Sequence, residues 1–428
     1  MAKELAPLIV VGYSQIMDGL KGDPQRPIRA TASALESLQV EPESDPEFVA
    51  GFREAIQALE REEKAPGVLS SPQNAMAAAL QTHVASEAAR TGKLKKGGPG
   101  ALEAKFDPTD WAGWVRSFFT WWKGLKKHAL VPGPEKPSSI DDGRIAILSD
   151  WGTGMYGAPL CAQAIAADKG SFQIVMHLGD VYYSGTDDEE SNRCLGLWPE
   201  VAGARNYSLN SNHEMYTGGH GYFEVLLQDQ RFRQWQQASY FALASKHFLL
   251  LCLDTAYAEH DLADPVWKWV ERMFVEAGDR KVVLLSHHQP FSLLDAQGPR
   301  LQVKLAKFLE EKRIFAWYWG HEHRCVIYDR HPVWNFYGRC VGHSGMPYFR
   351  GAVSNLPVAP NLQKCWRRME AKPFAPGAVI LDGPNPYIPD DPSKYGPHGY
   401  AAIELKAESL IEGIHDPSGK VLYERELK

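Results

Sequence analysis

Five short stretches hold side chains that could bind metal ions. They are Ser149-Asp150-Trp151-Gly152, Gly179-Asp180-Val181-Tyr182-Tyr183, Asn210 to Glu214 (with Asn212 and His213), Ser286-His287-His288-Gln289-Pro290 and Gly320-His321-Glu322-His323. Carboxylate oxygen, amide oxygen and imidazole nitrogen together suit zinc, iron or manganese better than calcium. No cysteine falls in these stretches, which argues against a structural zinc site. An aspartate has two oxygens that point in different directions. One at the end of a buried strand can therefore bridge two cations, and Asp180 follows the apolar run Phe172 to Met176. Taken singly, each stretch is ordinary: Asp-Trp-Gly is commonly a turn, and His-x-His is commonly two exposed polar residues. Their order, with an apolar run or a strand-like stretch before each, lets all five converge on one sheet edge and points to one shared centre.

Such a centre needs strands that end side by side. From Gly143 onward, apolar runs occur at 145–148, 174–176, 248–253, 282–285 and 314–319, mostly separated by helical or loop stretches. That alternation predicts an α/β domain. Around Tyr240 to Leu253, two runs meet at Ala244-Ser245-Lys246 and predict a hairpin. A Pro- and Gly-rich region at about 344–398 is too long for a plain loop and reads as a structured insertion. Closing strands are predicted at 400–405, 410–415 and 421–427, with a turn at Asp416-Pro417-Ser418-Gly419.

Residues 1–139 read as a helical region before the main domain, which covers 140–428. Asp45 to Glu63 has apolar residues at helical period and Pro46 in its first turn, and Gln73 to Arg90 is alanine-rich. A Gly- and Lys-rich stretch opens a linker near 91–108. Then Thr109 to Lys127 holds Trp111, Trp114, Phe118, Phe119, Trp121, Trp122 and Leu125, most of them on one broad face of a helix, with Lys123, Lys126 and Lys127 near its C-terminal end. The helix is expected to pack against the domain that follows; the alternative is a partner or membrane-surface contact.

Composition narrows the partners. With 428 residues, 44% of them hydrophobic and 23% charged, the chain can bury a large core. A formal net charge of -6 favours neither nucleic acid nor an anionic membrane as the main partner. No secretory signal is visible, and no apolar stretch approaches the ~20 residues of a membrane span. Six scattered cysteines without a CxxC pair predict free thiols in a reducing compartment, by default the cytoplasm.

The five stretches resemble the calcineurin-like metallophosphoesterases, whose pattern is D-x-H, G-D, G-N-H-[DE], H and G-H-x-H. The match covers roughly residues 143 to 343. Gly152 stands where most members have a metal-binding histidine, and Tyr183, three residues after Asp180, could replace it as an oxygen donor. D-x-G with G-D-x-x-Y is similar to the purple acid phosphatase branch. Ser211 replaces the glycine before Asn212; it is small too, so the change carries little weight at this stage.

The resemblance implies two stacked, mainly mixed β-sheets flanked by helices. It implies two divalent or trivalent ions, iron paired with zinc, manganese or iron. Metal one would be held by Asp150, Asp180, Tyr183 and His323, and metal two by Asp180, Asn212, His287 and His321. His287 is preferred over His288 from its alignment to the following Pro and Ser. A hydroxide bridging the ions would attack a phosphate mono- or diester, with His213 assisting the leaving group and Glu214 orienting His213. Tyr156, His220, Arg339, His343 and Arg350 are candidates for the pocket rim, and His288 for a supporting position. The competing expectation is an idle scaffold that binds partners through its N-terminal helices.

Overall fold

The computed structural model describes residues 9–10, 46–64, 74–91, 94–96, 102–104, 122 and 125–428, apart from 155, 171, 296–297 and 389–391. Most of the aromatic stretch 109–127 lies outside the described residues. Near the N-terminus, helices span Pro46–Lys64 and Ala75–Thr91. Strands β1 (Ile9–Val10), β2 (Leu94–Lys96) and β3 (Leu102–Ala104) form a small three-stranded sheet that the helical reading did not include.

From residue 138 the strands run β4 (Ser138–Ser139), β5 (Arg144–Leu148), β6 (Ile174–His177), β7 (Arg205–Ser208), β8 (Phe241–Ala244), β9 (Phe248–Leu253), β10 (Lys281–Ser286) and β11 (Ile314–Trp319). They continue as β12 (Cys325–Tyr328), β13 (Tyr337–Val341), β14 (Trp366–Met369), β15 (Ala378–Leu381), β16 (Tyr400–Leu405), β17 (Leu410–His415) and β18 (Val421–Leu427). Two mixed sheets result. One has six strands in the order β18-β17-β16-β5-β6-β7, and the other has nine in the order β14-β15-β12-β13-β11-β10-β9-β8-β4. The stretch 344–398 supplies β14 and β15, so it extends the edge of the larger sheet.

The sheets stack because their central strands are apolar on both faces, as strands covered on two sides must be. Ile145, Ile147 and Met176 of one sheet meet Leu250, Leu285 and Tyr318 of the other in a shared core. The alternate residues face outward. Ala146, Leu148 and Val175 pack under Cys161 and Ile165 of helix Gly157–Ala167. On the far side, Leu251, Val282 and Leu284 pack under helix Asp264–Glu276, whose buried Val266, Trp269, Val270 and Met273 recur at helical period. The layers are therefore helix, sheet, sheet, helix.

Two features correct the sequence reading. Arg339 is not at a pocket rim. It lies on β13 inside the sandwich, fully buried, and its guanidinium meets Glu412 of β17 in the opposite sheet at 2.7 Å. Tyr318 donates to the same carboxylate at 2.9 Å. His343 is also buried, beside His398, rather than on a rim. All six cysteines are unpaired. Among the described residues, no helix is long and apolar enough to cross a membrane.

Candidate metal centre

Strands β5, β6 and β7 are parallel to one another, as are β9, β10, β11 and β13. The C-terminal ends of parallel strands are where such sheets collect functional groups. Asp150 follows β5, Asp180 follows β6 and Asn212 follows β7, all from the six-stranded sheet. His287 follows β10, and His321 with His323 follows β11, from the nine-stranded sheet. The candidate ligands thus converge from two sheets rather than along one edge. Asp150, Asp180, His321 and His323 all have positive φ, at 55°, 78°, 69° and 52°. Left-handed backbone is costly for a non-glycine residue and is found where surrounding structure holds it in place.

The backbone is cross-linked to match. Asp150 N–H donates to the Gly179 carbonyl and Gly152 N–H to the Asp180 carbonyl, each at 2.9 Å. Gly320 has to be glycine here, because a Cβ would come within 2.0 Å of Ser149 Oγ and 2.6 Å of Asp150 Oδ2. Gly152 has φ 69°, which a histidine at this position would adopt only under strain.

The side chains form two sets that share one carboxylate. On one side, His287 Nε2 lies 3.2 Å from Asp180 Oδ1, 3.0 Å from Asn212 Oδ1 and 3.2 Å from His321 Nδ1. On the other, His323 Nε2 lies 3.6 Å from Asp150 Oδ1 and 3.7 Å from Asp180 Oδ2. Within each of the sets Asp180–His287–His321 and Asp150–Asp180–His323, the ligand atoms are within 4.8 Å of one another. Asp180 therefore presents a different oxygen to each set.

These residues fit cations on two grounds besides their donor types. Asp150 Oδ1 is buried and accepts no hydrogen bond, which is costly for a carboxylate oxygen unless something positive faces it. Burial and the Asp180 charge push the Asp150 carboxyl well above the usual range. For Asp180, burial is outweighed by His287 and its neighbouring histidines, which hold it well below. Two carboxylates crowded in a dry site are relieved by a metal ion.

Neighbouring groups set the direction of the ligands. His287 Nδ1 pairs with the Leu178 carbonyl at 2.8 Å, which turns Nε2 inward. Asn212 Nδ2 donates to the Tyr216 hydroxyl at 2.8 Å, which turns its carbonyl oxygen inward. His213 Nδ1 meets the Tyr183 carbonyl at 2.6 Å, and its ring stacks 3.8 Å from that of Tyr182. Glu214 does not orient His213, contrary to expectation. It accepts from the backbone N–H of Asp180 at 3.1 Å and of Val181 at 3.2 Å, so it braces the loop that carries Asp180.

The Tyr182 hydroxyl stands at the site, one residue before the position to which the family resemblance points. It donates to Asp180 Oδ2 at 3.2 Å and lies 2.7 Å from His323 Nε2. Tyr183 sets its ring 5.3 Å from the Arg193 guanidinium and meets His213 through its carbonyl. Two adjacent tyrosines leave little in the sequence to choose between them.

The other candidates belong to neither set, although His288 adjoins one of them. His288 pairs with Thr255 Oγ1 at 2.9 Å and clusters with His321 and His260, a histidine the motifs did not flag. His220 pairs with the Lys126 carbonyl at 2.7 Å and with Glu224 at 2.8 Å. Tyr156 immediately precedes helix Gly157–Ala167, and its side chain makes no capping hydrogen bond there. Arg350 forms an ion pair with Asp382 at 2.6 Å. A cleft of about 800 Å³ opens on Asn212 and His321 and passes His260; none of Tyr156, His220, Arg339, His343 and Arg350 lines it. A cavity of about 1020 Å³ lies at the opposite strand ends, by Lys281 and Ile314, and contains none of the metal candidates.

Residues 143–325 match the calcineurin-like phosphoesterase family. No curated protein matches the chain. Among solved structures, it is similar to the purple acid phosphatase PPD1 from yellow lupin (Lupinus luteus) seeds, with 12% identity and a TM-score of 0.48 over 68% of this chain and 54% of that one. The chain thus spans about half the length of the lupin protein. It is also similar to PhoD, with 12% identity and a TM-score of 0.37 over 71% of this chain and 73% of that one.

Proposed function

Because residues 143–325 belong to the calcineurin-like phosphoesterase family, we propose that this chain is a phosphoric ester hydrolase that works with two metal ions. The observation that carries the reading is the Asp180 carboxylate, with Oδ1 facing His287 and Oδ2 facing His323. When bound, two cations at such a site supply positive charge for phosphate oxygens and lower the pKa of a water between them. Metal one would be held by Asp150, Asp180, His323 and a tyrosine of the 182–183 pair, where the family resemblance favours Tyr183 and the hydroxyl geometry favours Tyr182. Metal two would be held by Asp180, Asn212, His287 and His321. A phenol donor suits trivalent iron at the first position, and the nitrogen-rich second suits zinc, manganese or divalent iron.

The chain's own part is to aim donors and to handle a proton. With Nδ1–H donating to the Tyr183 carbonyl, His213 keeps Nε2 for the leaving oxygen. Burial holds this imidazole down at about 4, with Asp180 pulling the other way. The substrate is a phosphate mono- or diester. Six unpaired cysteines agree with work in a reducing compartment, which we take to be the cytoplasm. The idle-scaffold reading is not favoured, since a donor stands at each expected position except Gly152.

Metal analysis of Asp180→Asn, with hydrolysis of an aryl phosphate, tests the proposal. Both should be lost, whereas His213→Ala should keep its metals and lose most of the rate. Near-normal hydrolysis by Asp180→Asn would sink it.

A further inference from the structure

The end of the N-terminal region forms one wall of the cleft at the metal centre. Trp122, Lys126 and Lys127 line it together with Tyr216, Tyr257 and His321. The wall is stitched to the loops on both sides. His128 N–H donates to the Gly218 carbonyl at 2.8 Å, and the Tyr257 hydroxyl donates to the His128 carbonyl at 3.0 Å. The Lys127 ammonium donates to the Tyr257 carbonyl and lies 3.9 Å over the Tyr257 ring. The His128 imidazole stacks on Phe223 at 4.5 Å, with planes 12° apart. Further back, Thr82 of helix Ala75–Thr91 donates to Glu189 at 3.0 Å, and Glu189 accepts from the Tyr183 and Ser184 backbone. The N-terminal region is thus bonded to the loops that carry the metal candidates.

We propose that this cleft selects phosphate esters whose leaving group is a planar aromatic ring, with Trp122 of the N-terminal region gripping the ring. The proposal rests on the phosphoesterase reading of the metal centre and adds to it a substrate class. Asn212 and His321 line the cleft together with three aromatic side chains, Trp122, Tyr216 and Tyr257, so the substituent of an ester held at these two residues lies in the same cleft as the rings. The Lys127 ammonium covers one face of the Tyr257 ring, which leaves Trp122 and Tyr216 as the main flat partners. Tyr216 is bonded to Asn212 at 2.8 Å, so one flat ring stands beside the metal-two ligands. Aromatic faces reward a flat partner through offset stacking, which an alkyl chain cannot reproduce. Among the lining residues, Lys126, Lys127 and Arg300 outnumber Glu259 and Asp261, a balance that admits an anion.

Steady-state kinetics of the full-length, metal-loaded chain on phenyl phosphate and glycerol 2-phosphate test this. Phenol is the better leaving group, but that advantage cancels when each variant is compared with the wild type on the same ester. Trp122→Ala should raise KM for phenyl phosphate roughly two- to tenfold, with kcat little changed. Its KM for glycerol 2-phosphate should stay near wild type, which also shows that the centre remains intact. Trp122→Phe should restore phenyl phosphate binding. An equal rise in both KM values, or no rise in either, would overturn the aromatic assignment alone. A wild-type chain that holds metals yet hydrolyses neither ester would overturn the phosphoesterase reading, and this one with it.

Discussion

Ser211 Oγ lies 2.5 Å from Asp180 Oδ1, the oxygen that faces His287, and also touches Glu214 Oε2. One hydroxyl proton cannot serve both carboxyl groups. Burial, then the Asp180 charge, pushes Glu214 up to about 8, so at neutral pH Glu214 keeps its proton. The order of donation is then Glu214 to Ser211 and Ser211 to Asp180, with His213 N–H also donating to Ser211 Oγ at 3.1 Å. A serine that counted in the sequence only as a small stand-in for glycine proves to steer the shared carboxylate.

Ser211→Gly should therefore weaken the centre without abolishing it. Losing a partner of a metal ligand typically costs about 10–100-fold in affinity or activity. The expected outcome is a loss of roughly tenfold in phosphatase rate, with faster release of metal to a chelator. Unchanged rate and retention would show that the hydroxyl is idle.

The tyrosine pair makes a second prediction. If ferric iron occupies metal one, a tyrosinate ligand gives a visible charge-transfer band. The Tyr182 hydroxyl, 2.7 Å from His323 Nε2, is the one set for it. Tyr182→Phe should remove the band and Tyr183→Phe should keep it. The reverse result would restore the position to which the family resemblance points, and an iron-loaded protein without a band would remove tyrosine from the ligand set.

Arg339 and Glu412 join the two sheets through a fully buried ion pair, and Arg339 also donates to the Tyr328 carbonyl at 2.8 Å. Removing one partner strands a charge in the core, which costs about 3–5 kcal/mol. Arg339→Met should lower the unfolding free energy by that amount. Arg339→Met combined with Glu412→Leu should recover part of it, since no charge is stranded, although the Tyr318 hydroxyl loses its carboxylate partner and the Tyr328 carbonyl loses the guanidinium. Calorimetric melting of the three proteins decides the matter. A double variant no more stable than the single one would mean that packing, not charge, sets the cost.

Local sequence pattern marks the metal candidates but not the place of Arg339. Asp150, Asp180, His287, His321 and His323 each follow an apolar strand, so local pattern and donor chemistry coincide at one place in the chain. Arg339 sits within a strand and its partner is 73 residues away, in another sheet. Nothing local marks such a pairing. The same limit hid the convergence of the two sheets, because period-two patterning fixes which face a strand buries but not which strands share a sheet. His343 followed the last motif closely in sequence, yet the fold turned it into the core beside His398. The apolar runs made the strands and the α/β class legible, and the family resemblance supplied the two stacked sheets flanked by helices, whereas the choice between Tyr182 and Tyr183 depends on how one loop turns.

His343 yields a prediction for pH. Its Nε2 and that of His398 are buried without hydrogen-bond partners. Burial, eased by the Val341 carbonyl, brings the His343 imidazole down to about 4. For His398, burial and then the His343 charge bring the value down to about 3. In the unfolded chain both should titrate near the ordinary value of about 6.5. Above that value neither state binds the proton, and this contribution to stability is fully present. As pH falls from about 6.5 toward 4, the unfolded state takes up protons that the folded state refuses, so stability declines. Each histidine contributes a slope approaching about 1.4 kcal/mol per pH unit in that window. Urea unfolding of the wild type and of His343→Asn at pH 7, 6 and 5 should show the variant losing stability more slowly by about that slope. Parallel pH profiles for the two proteins would mean that His343 is protonated in the fold, contrary to its buried, unpartnered position.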